Sequence, residues 1–424
     1  MSKFVVTGGN RLQGSVRVSG SKNSTSALMF AAALGKDDVI LTNIPLNSDV
    51  ITMSEILRSI GVEVKFNGQS VIINGANITN HQPPYELVRR IRASVYTAGL
   101  LLGRLGMADV AMPGGDEIGT RPIDLHIRGF QTLGSEVTIE HGQMVCKSKG
   151  LKGATYYINK VSVGATINMM LAAVLAEGVT IIDNPAKEPE VVDCAILLNS
   201  MGAKIRGAGT ASIKIEGVES LHGCEHTPIP DRIEAGTFMI ATAAIGGDVQ
   251  VNNVITEHLR MVISKLREAG AEIIEGDNDI RIICNHRLKT VDVDTGVYPG
   301  FATDLQAPFG VLLSKAEGTG IICETVFDNR FRYIDELRRM GADIKVERDT
   351  AIFRGVERLS GAPVVGTDIR AGVSLVIAGL MAEGVTEVSG ACHIDRGYEN
   401  FDEKLRDLGA GIQRVAESLE EVKA

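Results

Sequence analysis

Residues 263–275 read ISKLREAGAEIIE. An amphipathic helix ends at Gly270, and a strand-like alternation follows. Glycine belongs there because helix C-termini often close through a left-handed residue, a conformation that glycine adopts without steric cost. The pattern recurs in SEILRSIGVEVKF (54–66), RGFQTLGSEVTIE (128–140), AILLNSMGAKIRG (195–207), IDELRRMGADIKV (334–346) and DEKLRDLGAGIQR (402–414). The glycines concerned, Gly61, Gly134, Gly202, Gly270, Gly341 and Gly409, stand 68 to 73 residues apart. A second glycine-ended helix accompanies the later copies: LAAVLAEGVTIID (171–183), VLLSKAEGTGIIC (311–323) and IAGLMAEGVTEVS (377–389) nearly match. ALGKDDVILTN, LGRLGMADVAM and AAIGGDVQVNN are looser versions. The chain is thus six copies of one helix-and-strand unit of about 70 residues. Helices such as TINMMLAAVLA are apolar nearly all round, which implies burial on every side. A solenoid would use shorter repeats, without strand runs on both sides of each helix. Two globular domains of three units each are expected.

Composition agrees. A chain of 424 residues exceeds what one hydrophobic core usually organises. Hydrophobic residues at 44% and charged residues at 22% are ordinary for a soluble protein. A net charge of −9 argues against nucleic acid or an anionic membrane as partner, although a local basic pocket stays open. None of the six cysteines lies in a CxxC or at metal-ligand spacing with histidine, so reduced thiols and no metal are expected. The start, MSKFVVTGG, lacks signal-peptide character, and no apolar run approaches the roughly 20 residues that cross a bilayer. A cytoplasmic location is expected, and a monomer or weak homo-oligomer.

HTPIPDRIEAGT (226–237), with two prolines, falls between the third and fourth units and marks a crossing between domains. The N-terminal strand precedes the first complete unit and should pair with the far half of the chain, placing Lys22 and Asn23 at a second crossing. In GSKNSTSALMFAAAL (20–34), a polar loop with Lys22 leads into an apolar helix, an arrangement suited to an anion. The plainer account makes Ser24 or Asn23 an N-cap and leaves Lys22 solvated. Arg92, Arg121, Arg330, Arg370 and Arg396 recur beside the junctions of the units; arginine matches phosphate and carboxylate with two parallel bonds. Asp304, in GFATDLQAPF, could be a general base or the N-cap of the helix after it. Asp231 and Glu234 carry the same ambiguity. His126 and His393 lack ligand partners, so core or hydrogen-bonding roles are expected. PGGDEIG (113–119) sets Asp116 among glycines, either as a solvated turn or as a mobile carrier of a proton.

These strings resemble the UDP-N-acetylglucosamine 1-carboxyvinyltransferase family of enolpyruvyl transferases. The matching runs are GSKNSTSAL, RRIRAS, MPGGDEIGTRPIDLHI, VSVGATINMMLAAVLAEGVTIIDNPAKEPEVVD, PDRIEAGTF, GFATDLQ, ETVFDNRF, TDIRAG and HIDRGYE, in order from residue 20 to residue 399. The resemblance implies a two-domain α/β enolpyruvyl-transferase fold, an inside-out α/β barrel of six βαβαββ repeats, three per domain. Domain one would be 1–21 plus 230–424; domain two would be 22–229 and carry the 113–119 lid. The substrates implied are phosphoenolpyruvate and UDP-N-acetylglucosamine, with no metal or organic cofactor. Lys22 and Asn23 would bind phosphoenolpyruvate, and Arg92 would lie near both substrates. Arg121, Pro122, Ile123, Asp124 and Leu125 would hold the nucleotide with Ser162, Val163, Gly164 and Val326. Asp304 would be the base for the 3′-hydroxyl; Arg370 and Arg396 would grip phosphoenolpyruvate, with Arg330 alongside.

The sequence departs from the family at Asp116, where the common lid carries the cysteine that protonates the substrate and is alkylated by fosfomycin. An ordinary aspartic acid ionises near pH 3.9, so a donor there has to be kept protonated by closure, through desolvation or neighbouring anions. A carboxylate resists alkylation, so fosfomycin resistance is expected, and the flanking glycines become hinges. The rivals are an enolpyruvyl transferase with another acceptor, such as shikimate 3-phosphate or a different nucleotide, and a non-catalytic paralogue that binds UDP-sugar.

Overall fold

The computed structural model describes residues 2–116, 118–119 and 122–416. The chain divides into two compact units. Unit 1 comprises Met1–Ser19, Asp116–Thr120 and Pro230–Ala424; unit 2 comprises Gly20–Gly115 and Arg121–Ile229. This division differs from the expected one in two places. Gly20 and Ser21 group with unit 2, where Ser21 N–H bonds Ile229 O at 2.8 Å. Residues 116–120 group with unit 1, where Asp116 meets Arg396 and Asn329 N–H bonds Ile118 O at 3.3 Å.

Among the described residues there are six separate sheets, five of four strands and one of three. None closes on itself, so the expected barrel is not a closed one. The five four-stranded sheets share one topology. In the last repeat of unit 2, strands Lys204–Arg206, Ser212–Glu216, Val179–Asp183 and Thr155–Tyr157 lie in that order, with only the final pair parallel. The three-stranded sheet lacks the corresponding edge strand. His81 O still accepts Asp109 N–H there at 2.9 Å, but Pro83 and Pro84 follow and have no N–H to donate. As expected, the N-terminal strand joins the far half of the chain: Ser2–Thr7 lies between Val385–Ser389 and Gly411–Ala416, antiparallel to both. Leu12–Arg17 runs parallel to Gly247–Asn252.

Each unit has its own apolar core, built around three helices that pack on one another. In unit 2 these are Lys22–Ala32, Tyr96–Leu105 and Val163–Ala173; in unit 1 they are Arg232–Ile245, Gln306–Lys315 and Ile369–Met381. Their all-round apolarity has the expected result: every residue from Ala165 to Ala173 is buried. The C-terminal ends gather, and a cation meets their carbonyls. Arg104 Nη1 donates to the carbonyls of Ala33, Leu34 and Gly35 in unit 2. In unit 1, Lys315 Nζ donates to Met381 O and Arg287 to Lys315 O. Positive charge there offsets the negative ends of aligned helix dipoles. With the C-termini together, the N-termini of each triplet collect at the opposite end of the unit.

The six repeat glycines all take left-handed backbone, with φ between 89° and 107°. In five of the six copies a side chain three residues earlier secures the turn. Arg58, Arg267, Arg338 and Arg406 donate to the carbonyl six residues on, at Val64, Ile273, Ile344 and Ile412, and Asn199 does so to Ile205 O. All six cysteines are free, and among the described residues no helix is long and apolar enough to cross a membrane.

Candidate active site

In unit 1, Asp304 lies in a short 3-10 turn, Thr303–Leu305, that leads into the Gln306–Lys315 helix. It does not cap that helix. One carboxylate oxygen accepts Arg330 Nη2 and the other accepts Arg370 Nη2, each at 2.7 Å. Both arginines are 7% exposed. Burial pushes the Asp304 carboxyl up, but the charges and hydrogen bonds of Arg370 and Arg330 outweigh it and hold the group far below the usual carboxylate range. Arg370 is the second residue of its helix, whose N-cap Asp368 accepts the N–H groups of Arg370 and Ala371 at 2.9 and 3.0 Å. Phe327 lies under Arg330, with its ring centroid 5.3 Å away.

The segment carrying Val326 is ordered by Glu324, a residue the sequence reading quoted within a motif but gave no role. Its carboxylate accepts Val326 N–H and Thr295 Oγ1 at 2.9 Å and, through the other oxygen, Thr303 Oγ1 at 2.8 Å, next to Asp304. The sequence signal was an acidic residue at the end of an apolar strand, where burial forces a full set of donors.

Arg396 donates to Asp116 Oδ1, and both side chains are less than a fifth exposed. Asp116 is therefore no solvated turn. On the unit 2 side of the loop, a Cβ on Gly114 would fall 1.6 Å from Arg89 O, and Gly115 has φ +103° against Arg92. On the unit 1 side, Gly119 has φ +123° and leaves 3.1 Å between a built Cβ and Asp328 N. Arg121 lies outside the described residues.

In unit 2, Ser21 rather than Ser24 or Asn23 caps the first core helix, accepting Ser24 N–H at 3.2 Å. Lys22 is not solvated: it opens the helix and pairs with Asp49 at 3.1 Å, with Asn23 beside it in the first turn. Ser24 Oγ instead donates to buried Asp193, which also meets His226 Nε2 at 2.8 Å and Ile229 N–H at 3.2 Å. With the acid between serine and histidine, this is a structural tie for the Lys22 loop and no nucleophile triad. Arg92 begins a 3-10 turn into the Tyr96–Leu105 helix. Ser162 caps the third core helix by accepting Ala165 N–H at 3.2 Å, and Val163 and Gly164 form its first turn.

Pro122 is exposed and Ile123 buried; Asp124 and Leu125 begin the Asp124–Thr132 helix, with Leu125 O held by Tyr156 Oη at 2.9 Å. His126 follows, buried beside Gly164. Asn168 Nδ2 donates to its Nδ1 at 2.9 Å, which leaves the proton of a neutral ring on Nε2. Burial and then the Arg92 charge push His126 down to about 3, so the ring is neutral, in the hydrogen-bonding role expected of it. Asp231 and Glu234 resolve as structure: Asp231 caps its helix, and Glu234 accepts Ser19 N–H at 2.9 Å and pairs with Lys404. Among the described residues no group of side chains could hold a metal ion.

Unit 1 thus presents three arginines and two aspartates, and unit 2 a lysine, an arginine and helix N-termini, a chemistry of anion binding and proton transfer. Comparison with known proteins gives this chemistry a family. Residues 6–405 match the family model described as EPSP synthase (3-phosphoshikimate 1-carboxyvinyltransferase). A UDP-N-acetylglucosamine 1-carboxyvinyltransferase 2 from Symbiobacterium thermophilum is 52% identical over 422 residues, covering 99% of this chain and 100% of its own. The chain belongs to the UDP-N-acetylglucosamine 1-carboxyvinyltransferase family. It is a transferase. Another family member, from Bacillus cereus, is 51% identical over 427 residues and covers all of both chains. The solved enolpyruvyl transferase NikO from Streptomyces tendae matches with TM-score 0.89 and 25% identity, over 98% of this chain and 99% of that one. An EPSP synthase from Acinetobacter baumannii matches with TM-score 0.75 and 21% identity over 98% and 100%, a likeness of fold.

Proposed function

We propose that the protein transfers the enolpyruvyl group of phosphoenolpyruvate to the 3′-hydroxyl of UDP-N-acetylglucosamine and releases phosphate, as the first committed step of peptidoglycan precursor synthesis. The observation that carries this reading is Asp304 held between Arg330 and Arg370, within a chain that is about half identical to named carboxyvinyltransferases along its whole length. Asp304 takes the 3′-hydroxyl proton as the oxygen bonds to C2, and Asp116, in its protonated form with Arg396 turned from it to the anions of the substrate, gives a proton to C3, forming a tetrahedral ketal. The C2–O bond to phosphate then breaks as C3 gives up a proton, and the double bond re-forms. Lys22, Arg92, Arg370 and Arg396 offset the charge of phosphate and carboxylate, with Asn23 adding hydrogen bonds. Arg121, Pro122, Ile123, Asp124, Leu125, Ser162, Val163, Gly164 and Val326 hold the nucleotide.

A carboxylate gripped by two arginines is a weak base. For Asp304 to take a proton, the anionic groups of phosphoenolpyruvate must draw positive charge away from it, which ties base strength to occupancy of the site. The loop around Asp116 acts as a lid, with Gly115 and Gly119 as its hinges, and the carboxylate makes the enzyme resistant to fosfomycin.

The test is phosphate release from phosphoenolpyruvate and UDP-N-acetylglucosamine, with and without fosfomycin. Release that persists with the drug supports both the transfer and the role of Asp116. Release that the drug stops means another residue is its target. Release only with a different nucleotide sugar moves the acceptor, and nucleotide binding without any release leaves a UDP-sugar-binding protein.

A further inference from the structure

We propose that Tyr398 is the positioning residue for Arg370, holding its guanidinium in the orientation that receives the substrate anion. The proposal rests on the function proposed above. Arg370 lies over the Tyr398 ring with its guanidinium carbon 5.3 Å from the centroid, while one of its nitrogens meets Asp304. The group is therefore held on two sides, by a carboxylate at its edge and an aromatic face beneath.

The ring is itself fixed. Tyr398 is 3% exposed, packs on Phe401 with centroids 5.1 Å apart, and its Oη lies 2.8 Å from Thr237 Oγ1. The direction of that bond can be assigned. Thr237 Oγ1 is 2.7 Å from Ile233 O, which can only accept, so the threonine proton is committed there and the tyrosine hydroxyl donates to Thr237. Burial also pushes the Tyr398 phenol up, which keeps it a neutral donor even beside Arg370. Phe401 and Thr237 come from different elements, so the ring has two independent anchors.

During turnover Arg370 must exchange Asp304 for the carboxylate or phosphate of the substrate. Its edge contact changes in that exchange; the ring face does not. The ring thus retains the orientation of a long side chain at the moment its ion pair is given up.

Three variants separate the contributions by steady-state kinetics and UDP-N-acetylglucosamine titration. Tyr398→Phe keeps the ring and should leave KM for phosphoenolpyruvate within about twofold of wild type, whereas Tyr398→Leu should raise it about tenfold, as expected for a lost desolvated cation–π contact. In Tyr398→Leu, kcat should fall much less than KM rises, and nucleotide affinity should not change. Equal effects in Phe and Leu, or equal losses for both substrates, overturn the proposal. Should Tyr398→Leu fail to fold, Tyr398→Met carries the test. It fills the site without an aromatic face and should raise KM for phosphoenolpyruvate about tenfold with nucleotide affinity intact; an unchanged KM overturns the proposal. Wild-type protein that releases no phosphate counts against the function itself and is read separately from any difference among the variants.

Discussion

At the scale of the residue, the consequences centre on Asp116. By the mechanism proposed, Asp116→Asn should lower turnover at least about 100-fold, the usual weight of a positioned acid, with nucleotide affinity unchanged. Normal turnover would remove Asp116 from the chemistry. Asp116→Cys should keep turnover and make it sensitive to fosfomycin, and a drug-resistant cysteine variant would place the alkylation target elsewhere. The ion pair with Arg396 adds a consequence that a thiol would not share. In the mechanism proposed, the carboxylate is an internal occupant of the arginine that receives the substrate, so it competes with any incoming anion. Asp116→Asn should therefore bind inorganic phosphate about fivefold more tightly in calorimetry, the worth of a half-buried ion pair. Phosphate affinity that is equal or weaker would show that the pair carries no such weight.

The element scale explains what the sequence made legible. Repeats announce themselves where a local device has to be repeated: the left-handed glycine cannot be exchanged without strain, so it survives in all six copies. The arginine three residues before it was equally visible in LRSIG, LREAG, LRRMG and LRDLG, yet its target is a backbone carbonyl that no side-chain pattern records. Arg338→Ala should lower stability by about 1 kcal/mol, one net hydrogen bond, seen as a fall in Tm of a few degrees; an unchanged Tm would make the contact incidental. The roles of Lys22 and Asp304 were the hardest to read. A polar residue at a helix start can cap it or pair with a charge, and only the arrival of Asp49 and Arg330 from later in the same repeats, and of Arg370 from the next one, decides between them. Glu324 and Tyr398 stayed hidden for the same reason, since their partners lie in other elements.

On the scale of the whole molecule, the two units should respond to acid in opposite senses. His126, in unit 2, has a folded value of about 3 against an ordinary 6.5. The unfolded chain therefore binds that proton more tightly; the stabilisation is complete above about pH 6.5 and is lost as pH falls. Glu234, in unit 1, is pushed up from 4.5 to about 7 by burial, which Lys404 only partly offsets. Its proton is held more tightly by the folded state, so its contribution is full below about pH 4.5 and lost as pH rises through 7. Between pH 7 and pH 5 the two changes are each about 2 kcal/mol and opposite in sign. Amide exchange, corrected for intrinsic rate, should quicken in unit 2 and slow in unit 1 at pH 5. His126→Gln should abolish the first effect and Glu234→Gln the second; shifts of one sign in both units would contradict the assignment. A last consequence concerns time rather than free energy. The strand Ser2–Thr7 is synthesised long before its neighbours, Val385–Ser389 and Gly411–Ala416. At about 5 to 20 residues per second, the opening strand waits roughly 20 to 80 seconds for its final partner, with both edges unpaired, while residues 20–229 can already fold. Ser2 faces Ala416 across the sheet, so a short loop could join them and new ends be opened between Ser19 and Gly20. Such a permutant makes every strand of unit 1 after unit 2 is complete, and it should give more soluble protein when synthesis is slowed.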